Sequence, residues 1–164
     1  MDRRGVMTAA AREHGVLALY AGRLSLVDRY LERLRQLPAE REQFLADPRN
    51  VDSAESLLRR ALEALLDTAR HLLAKGFGVA ALEYREIARI AVERQLVQGE
   101  QLGHAFQRMA GFRIRPTHHY EEVTDDELFG IRSERLGDID AVRDQLAAAA
   151  ATLAGETAEG ANGQ

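Results

Sequence analysis

The apolar residues of this chain recur at alternating spacings of three and four, and this pattern limits the possible folds more than any other feature. The first such stripe consists of Leu17, Tyr20, Leu24, Val27, Leu31 and Leu34. An α-helix turns through about 100° per residue, so these spacings place the side chains along one face. The stripe therefore predicts an amphipathic helix, and Pro38 predicts its end.

Further segments show the same periodicity and are separated by signals that start or stop helices. After a short helical piece at 39–46, Asp52 and Glu55 form a capping box that predicts a long helix ending at Gly76. Two shorter apolar stripes follow within residues 84–91 and 102–110. Thr124 and Glu127 form a second capping box, which predicts a helix that runs to Leu146 and is weakened at Gly137.

No stretch combines strand-like alternation with hairpin signals. The chain is therefore predicted to be all-α, an antiparallel bundle of four to five helices with short connections. Residues 1–14 are predicted to be a flexible N-terminus, 15–154 the helical domain, and 155–164, rich in Gly, Glu and Thr, a disordered tail. The first apolar stripe could serve the core or a homodimer seam, and the core is favoured.

Charge and composition restrict the classes of function. The net charge is −4, so a nucleic-acid site would have to be a local patch rather than a broad basic surface. The chain has no cysteine, which excludes disulfides and thiolate metal sites. No apolar run approaches the ~20 residues that span a bilayer, and no secretory signal is evident. We therefore expect a cytoplasmic protein without a membrane segment.

The segment from Gly111 to Glu122 concentrates arginine, histidine, tyrosine and acidic residues. If the preceding helix extends to Arg113, that side chain lies in the middle of the stripe formed by Leu102, Phe106, Met109 and Ala110. A guanidinium on an apolar stripe is costly unless it meets an anion. The anion is either a protein carboxylate, which is the structural interpretation, or the phosphate of a ligand.

On one continuous helix, Arg113 and His118 would diverge by about 140°. Pro116 interrupts the helix and disfavours helical geometry at the residue before it. An extended path after this break would place His118 and Tyr120 on one side of the chain. Histidine can exchange a proton near neutral pH, and arginine can stabilise negative charge on phosphate. Such a pair can cleave RNA without a metal, although a packed structural pair also fits the spacing.

Several motifs resemble the HepT branch of the HEPN-domain proteins. The branch carries Met-x-Gly-Phe followed by Arg-Asn-x-x-x-His-x-Tyr; this chain has Met109-Ala110-Gly111-Phe112-Arg113, then His118 and Tyr120. The stretches 61–71, 84–87 and 134–138 also resemble HepT proteins. The similarity covers roughly residues 17–146.

The resemblance implies a homodimer whose sites face a cleft near the two-fold axis. It implies a metal-independent ribonuclease toxin that needs no cofactor, with Arg113 and His118 as catalytic residues. It also implies a partner, a minimal nucleotidyltransferase antitoxin that silences the toxin by adenylylating Tyr120. Arg115 and His119 are candidate contacts to the RNA backbone.

The chain departs from the HepT pattern at the residues between the arginine and the histidine. The family's polar residue after the arginine is Ile114 here, and Pro116-Thr117 precede the histidine where the family has Leu-Val. These departures support an alternative: a catalytically degenerate HEPN dimer that binds RNA or the nucleotidyltransferase without cleavage.

Two further polar groups have a structural interpretation. His118, His119 and Glu122 do not predict a metal site, because adjacent side chains of an extended chain point apart and no second ligand cluster supports them. Asp67 and His71, four residues apart on one helix, predict a surface or rim pair with at most a supporting role.

Overall fold

The computed structural model describes residues 9–81, 83–115 and 123–161. Within these ranges the chain forms seven helices and no strand, which confirms the all-α fold. The helices are α1 (Ala9–Gln36), α2 (Arg41–Ala46), α3 (Pro48–Phe77), α4 (Tyr84–Glu93), α5 (Glu100–Ile114), α6 (Asp125–Glu134) and α7 (Leu136–Ala161). The count exceeds the predicted four to five because α2 is a separate short helix and the last predicted helix divides at Arg135.

Helix α3 is the central element and packs against all six other helices. Its buried apolar residues recur at spacings of three and four from Val51 to Leu73, about six turns, so that one broad face is buried. Leu65, Leu66 and Leu73 on this face are fully buried. The other helices surround α3, and the core of the domain lies along its length.

The first apolar stripe belongs to this core, as the sequence favoured. Tyr20, Leu24, Val27, Leu31 and Leu34 are all buried within the single chain, where α1 packs against α3 and α7. Helix α1 begins at Ala9, so residues 9–14 are helical rather than part of a flexible N-terminus. The Ala9-Ala10-Ala11 run explains the extension, since alanine has the highest intrinsic helix propensity.

The start of α3 differs from the prediction. Pro48 is the first helical residue, and the side chain of Asp47 accepts a hydrogen bond from the Arg49 backbone N–H at 3.0 Å. Asp52 therefore lies inside the helix and does not cap it. Aspartate followed by proline is a stronger start signal, because proline at the first helical position has a suitable φ and lacks an N–H that would be unsatisfied there. At the other end Gly78 adopts φ 64°, a left-handed conformation that favours glycine.

The predicted cap at Thr124 is confirmed, since its side chain accepts a hydrogen bond from the Glu127 backbone N–H at 3.1 Å. The helix that it starts ends at Glu134, and α7 begins at Leu136 rather than continuing through a weak point at Gly137. Helix α7 reaches Ala161, so residues 155–161 are helical instead of disordered. The alanine run at 147–151 and the buried Ala154 extend the packed, helix-favouring part of the chain up to this segment.

Among the described helices, none combines the length and the apolar character that crossing a bilayer requires.

The central position of α3 predicts a large effect of truncating its buried face. We expect Leu65→Ala to lower the free energy of unfolding by about 2–5 kcal/mol, because it removes a fully buried side chain and leaves a cavity. Denaturant unfolding followed by circular dichroism measures this loss. Leu19→Ala, at a side chain that is 47% exposed, is the matched control and should change stability by no more than about 0.5 kcal/mol. Equal losses in the two variants would contradict the assignment of α3 to the core.

Candidate functional site

Arg113 lies in the last turn of α5 and faces α3. Its Nη2 donates to Oε2 of Glu63 at 3.1 Å, and its guanidinium stacks 5.9 Å from the centre of the Tyr84 ring. The anion that the sequence required is thus a protein carboxylate, at least within the described part of the chain. The Arg113 side chain remains 30% exposed, while its Nε is buried and has no hydrogen-bond partner among the described residues.

Arg59 of α3 holds the backbone on which Arg113 sits. Its Nη1 donates to the carbonyl oxygens of Arg113 and Arg115, each at 3.2 Å. The last carbonyls of a helix have no partner within the helix, so Arg59 supplies donors where α5 lacks them. The Arg59 guanidinium also pairs with Glu55 at 3.2 Å and lies 5.4 Å from the centre of the Phe112 ring.

Tyr84 is itself held by a second polar group of α3. Its hydroxyl donates to Oδ1 of Asp67 at 3.3 Å, and Asp67 also forms an ion pair with Arg70. Burial raises the pKa of Tyr84 above its ordinary value, and the carboxylates of Asp67 and Glu63 raise it further. The phenol is therefore protonated at neutral pH and remains a donor to Asp67.

The spacing of four predicted a pair of Asp67 and His71, but the ion pair and the side-chain hydrogen bonds of Asp67 are with Arg70 and Tyr84. Burial lowers the pKa of His71, and the nearby guanidiniums of Arg23 and Arg70 lower it further. His71 is consequently neutral near pH 7. No group of acidic and histidine side chains suitable for a metal ion occurs among the residues that the structure describes.

A groove of about 470 Å³ opens beside Arg113. We call it the Arg113 groove; its lining includes Arg59, Arg60, Glu63, Arg113, Ile114 and Arg115. Four of these residues are cationic and one is anionic, so the groove is locally basic although the chain carries a net charge of −4. Ile114 is 43% exposed at its edge. The groove thus supplies the local basic patch that a nucleic-acid site in an acidic chain requires.

Arg115 marks the end of α5. Its backbone angles, φ −59° and ψ 132°, are the extended geometry that the sequence predicted for the residue before Pro116. Its Nη1 donates to Oε1 of Glu127 at 2.7 Å, which ties this end of α5 to the start of α6. Arg115 therefore has a carboxylate partner, and it borders the Arg113 groove as well.

Of the residues that the sequence assigned to the site, the structure describes Arg113 and Arg115. His118, His119 and Tyr120 lie outside the described residues, in the segment between Arg115 and Val123. The structure therefore leaves the proximity of Arg113, His118 and Tyr120 as a prediction.

Sequence reasoning missed three residues that hold Arg113: Arg59, Glu63 and Tyr84. A signal for the first two exists, because Glu55, Arg59, Glu63 and Asp67 recur every four residues beside the apolar face of α3. This spacing predicts a polar stripe on one edge of the helix. It does not reveal which residues of another helix the stripe faces.

Comparisons with known proteins bear on the family and the fold of the chain. The family model described as Ribonuclease HepT-like matches residues 27–146. The chain resembles the solved structure of a tri-AMPylated Shewanella oneidensis HEPN toxin in complex with MNT antitoxin, with a TM-score of 0.71 and 22% identity over 79% of this chain and 96% of that one. It also resembles a toxin–antitoxin crystal structure with AMP-PNP, with a TM-score of 0.69 and 21% identity over 77% and 96% of the two chains. At these identities the likeness shows the fold. No curated protein sequence matches the chain.

The contacts of Arg59 predict a structural effect that its neighbour does not share. We expect Arg59→Gln to lower the free energy of unfolding by about 1–3 kcal/mol, because it removes charge-assisted hydrogen bonds to two carbonyls at the end of α5. Arg60→Gln changes the charge equally at an exposed position and should stay within about 0.5 kcal/mol of the parent. Chemical denaturation of both variants compares them, and indistinguishable midpoints would show that Arg59 does not hold the end of α5.

Proposed function

The chain belongs to the HepT-like ribonuclease family, and from this premise we propose that it is a ribonuclease toxin that cleaves RNA through Arg113 and His118. The family assignment rests on the match over residues 27–146. The proposal for this particular chain rests on its own residues, chiefly on how Arg113 is presented.

The observation that carries the proposal is that the Arg113 guanidinium is held in place while some of its N–H donors remain free of protein acceptors among the described residues. A guanidinium has five N–H donors, and within the described residues Glu63 accepts from one of those of Arg113. Glu63 is 47% exposed, and an ion pair at such exposure is weak enough for a phosphate to compete with it. The ring of Tyr84 packs against the Arg113 guanidinium, and the hydrogen bonds from Arg59 fix the backbone of Arg113. Arg113 therefore retains donors for an incoming phosphodiester at the edge of the basic groove.

The chemistry that follows needs a base, an acid and charge stabilisation. The imidazole of His118 takes the proton of a ribose 2′-hydroxyl, and the 2′-oxygen attacks the adjacent phosphorus. Arg113 stabilises the negative charge that builds up on the phosphoryl oxygens. The bond to the 5′-oxygen breaks, and that oxygen takes up a proton from water, while the protonated His118 later returns its proton to solvent. The products are a 2′,3′-cyclic phosphate and a 5′-hydroxyl end.

Binding of the RNA substrate would rely on few contacts, since the chain is acidic overall. Arg115 lies between the two catalytic residues in sequence, and His119 follows His118 directly. Both are proposed as contacts to the RNA backbone. Arg115 is only 30% exposed and pairs with Glu127, so phosphate binding there requires competition with that carboxylate. Affinity should accordingly depend modestly on salt.

The proposed setting is a toxin–antitoxin pair in the cytoplasm. One structural relative is a HEPN toxin in complex with MNT antitoxin, and the other is a toxin–antitoxin complex with AMP-PNP. By analogy, the partner of this chain is a minimal nucleotidyltransferase antitoxin. A two-fold homodimer, the commonest symmetric assembly, is proposed as the form that binds RNA.

The mechanism predicts cleavage in the presence of EDTA. His118→Ala should lower the cleavage rate by ~10²–10⁴-fold, because it removes the acid–base group. Arg113→Ala should lower it by ~10²–10³-fold, because it removes the donors to the charged transition state. The assay follows an end-labelled RNA and identifies the cyclic phosphate. Arg29→Ala, at an exposed position of α1, is the control and should cut as the parent does.

Undiminished cleavage by His118→Ala or Arg113→Ala would remove that residue from the mechanism. If the parent protein binds RNA or the nucleotidyltransferase and does not cut, the second candidate applies, a HEPN dimer that binds without cleavage. Ile114 is the observation that favours this candidate, because it cannot make the side-chain hydrogen bonds of the family's polar residue. Ile114→Asn would then be the rescue, and recovered cleavage would assign the defect to this position.

Tyr120 is proposed as the point of regulation. Its phenol oxygen would attack the α-phosphorus of ATP, release pyrophosphate and lose its proton to solvent. The resulting AMP group would lie two residues from His118, and its negative charge would compete with RNA for Arg113. We expect AMP on the Tyr120 peptide after incubation with the cognate nucleotidyltransferase and ATP, measured by mass spectrometry, together with loss of cleavage. Tyr30→Phe is the control. Unchanged labelling of Tyr120→Phe would contradict the proposal.

A further inference from the structure

A second concave surface adjoins the Arg113 groove on the other side of Arg115. It consists of a cleft of about 710 Å³ where α3, α5, α6 and α7 meet, and an outer groove of about 560 Å³ beside α4 and α5. Arg115 lines both the Arg113 groove and the cleft. Arg85, Arg108 and Gly111 line both the cleft and the outer groove. The three cavities therefore form one path across the end of α5.

Two arginines of the cleft and the outer groove are unpaired in the described part of the chain. The other three arginines of these two cavities each have a carboxylate partner. The pairs are Arg115 with Glu127 at 2.7 Å, Arg135 with Asp138 at 4.0 Å, and Arg89 with Glu93 at 2.7 Å. Arg85 and Arg108 have no such partner among the described residues, and both are exposed. Two unpaired guanidiniums thus border the same cavities, and the planar guanidinium suits phosphate by its geometry.

The floor of the cleft is apolar. It is formed by Leu58, Leu62, Met109, Phe112, Ile131 and Ile139. Leu58, Leu62 and Ile139 are 2% exposed and belong to the core of the domain, so the floor is fixed. A planar group resting there would bury its faces against carbon and keep its polar edge toward the rim.

Two helical glycines leave the walls of the cleft open. A Cβ added to Gly111 of α5 or to Gly130 of α6 would meet no described atom within 4 Å. Gly111 also lines the outer groove, so the absence of a side chain there keeps the two cavities joined. Glu134, which has no ion-pair partner in the described ranges, stands at the rim and can accept hydrogen bonds from an amino group.

We propose that the cleft and the outer groove bind one nucleotide of the RNA strand beside the scissile phosphate. Its base lies on the apolar floor, and its phosphate is bound by Arg85 and Arg108. This inference rests on the proposed ribonuclease function and adds to it a subsite that selects for a single-stranded substrate, since a paired base could not enter the cleft. Arg108 and Arg113 are five residues apart on α5, so they differ by about 7.5 Å in height and diverge by about 140° around the helix axis. An RNA strand that contacts both must therefore pass around the end of α5.

The test measures binding of an RNA that cannot be cut. A fluorescent single-stranded oligonucleotide with 2′-O-methyl groups is titrated with the full chain and followed by anisotropy. We expect the double variant Arg85→Gln/Arg108→Gln to weaken binding about tenfold or more at low salt. It should also reduce the magnitude of the salt slope by about 0.7, the value for one neutralised phosphate on a single strand. Arg29→Gln/Arg33→Gln removes the same charge from exposed positions of α1 and should leave affinity and slope close to those of the parent.

A steric variant tests the cleft without changing charge. Gly111→Met places a flexible side chain into the open space and should weaken binding several-fold, while helix stability stays equal or rises by up to about 1 kcal/mol. Gly22→Met, at an exposed helical glycine of α1 with equally open surroundings, is its control. Circular dichroism verifies that all variants fold. Unchanged affinity in both the arginine and the Gly111 variants would overturn the subsite.

Four outcomes separate the remaining explanations. Equal affinity for AMP and for the oligonucleotide would assign the cleft to a free nucleotide and overturn the RNA subsite. Loss of nucleotidyltransferase binding with RNA binding intact would make the surface a protein interface and overturn it as well. If the parent binds the oligonucleotide through Arg85 and Arg108 and cuts no RNA, the subsite stands and the proposed nuclease function fails. If Arg113→Ala abolishes cleavage and the cleft variants bind normally, the proposed nuclease function stands and the subsite fails.

Discussion

The buried face of α3 is the constraint on which the rest of the structure depends. Every other helix packs against α3, so burial of its leucines fixes the rotation of this helix about its own axis. That rotation also fixes the polar stripe beside the buried face. Arg59, Glu63 and Asp67 are presented toward α4 and α5 because the leucines next to them are held in the core. Packing and site geometry thus have a common origin.

At the end of α5, the packing of α3 determines how the Arg113 guanidinium is positioned. Burying Nε of Arg113 without a partner among the described residues costs free energy, which the ion pair with Glu63 and the contact with the Tyr84 ring offset. Because that ion pair is partly solvated, it orients the guanidinium without neutralising it fully. Arg59 adds a constraint on the backbone, since it binds the carbonyls on both sides of Ile114. The scaffold therefore fixes the position of Arg113 and leaves part of its hydrogen-bonding capacity to the groove.

The parts of this arrangement that follow from local spacing could be predicted from the sequence. The core stripe of α1, the long apolar face of α3 and the cap at Thr124 all arise from contacts within a few turns of one helix. The start of α3 was misplaced because two start signals, at Asp47 and Asp52, compete within six residues. The partner of Arg113 could not be identified, since Glu63 lies fifty residues away and the pairing depends on how α3 and α5 pack. Spacing predicted that an anion was needed and did not identify it.

The same contacts bear on the departure from the HepT pattern at Ile114. One role for a polar residue there is to orient the neighbouring arginine. In this chain Glu63, Tyr84 and Arg59 already perform that role, and none of their contacts involves the side chain at 114. Ile114 is 43% exposed and lines the groove, so its side chain is not needed for the core. Isoleucine at this position therefore leaves the orientation of Arg113 intact and places an apolar surface at the edge of a basic groove, where the HepT pattern has a polar side chain.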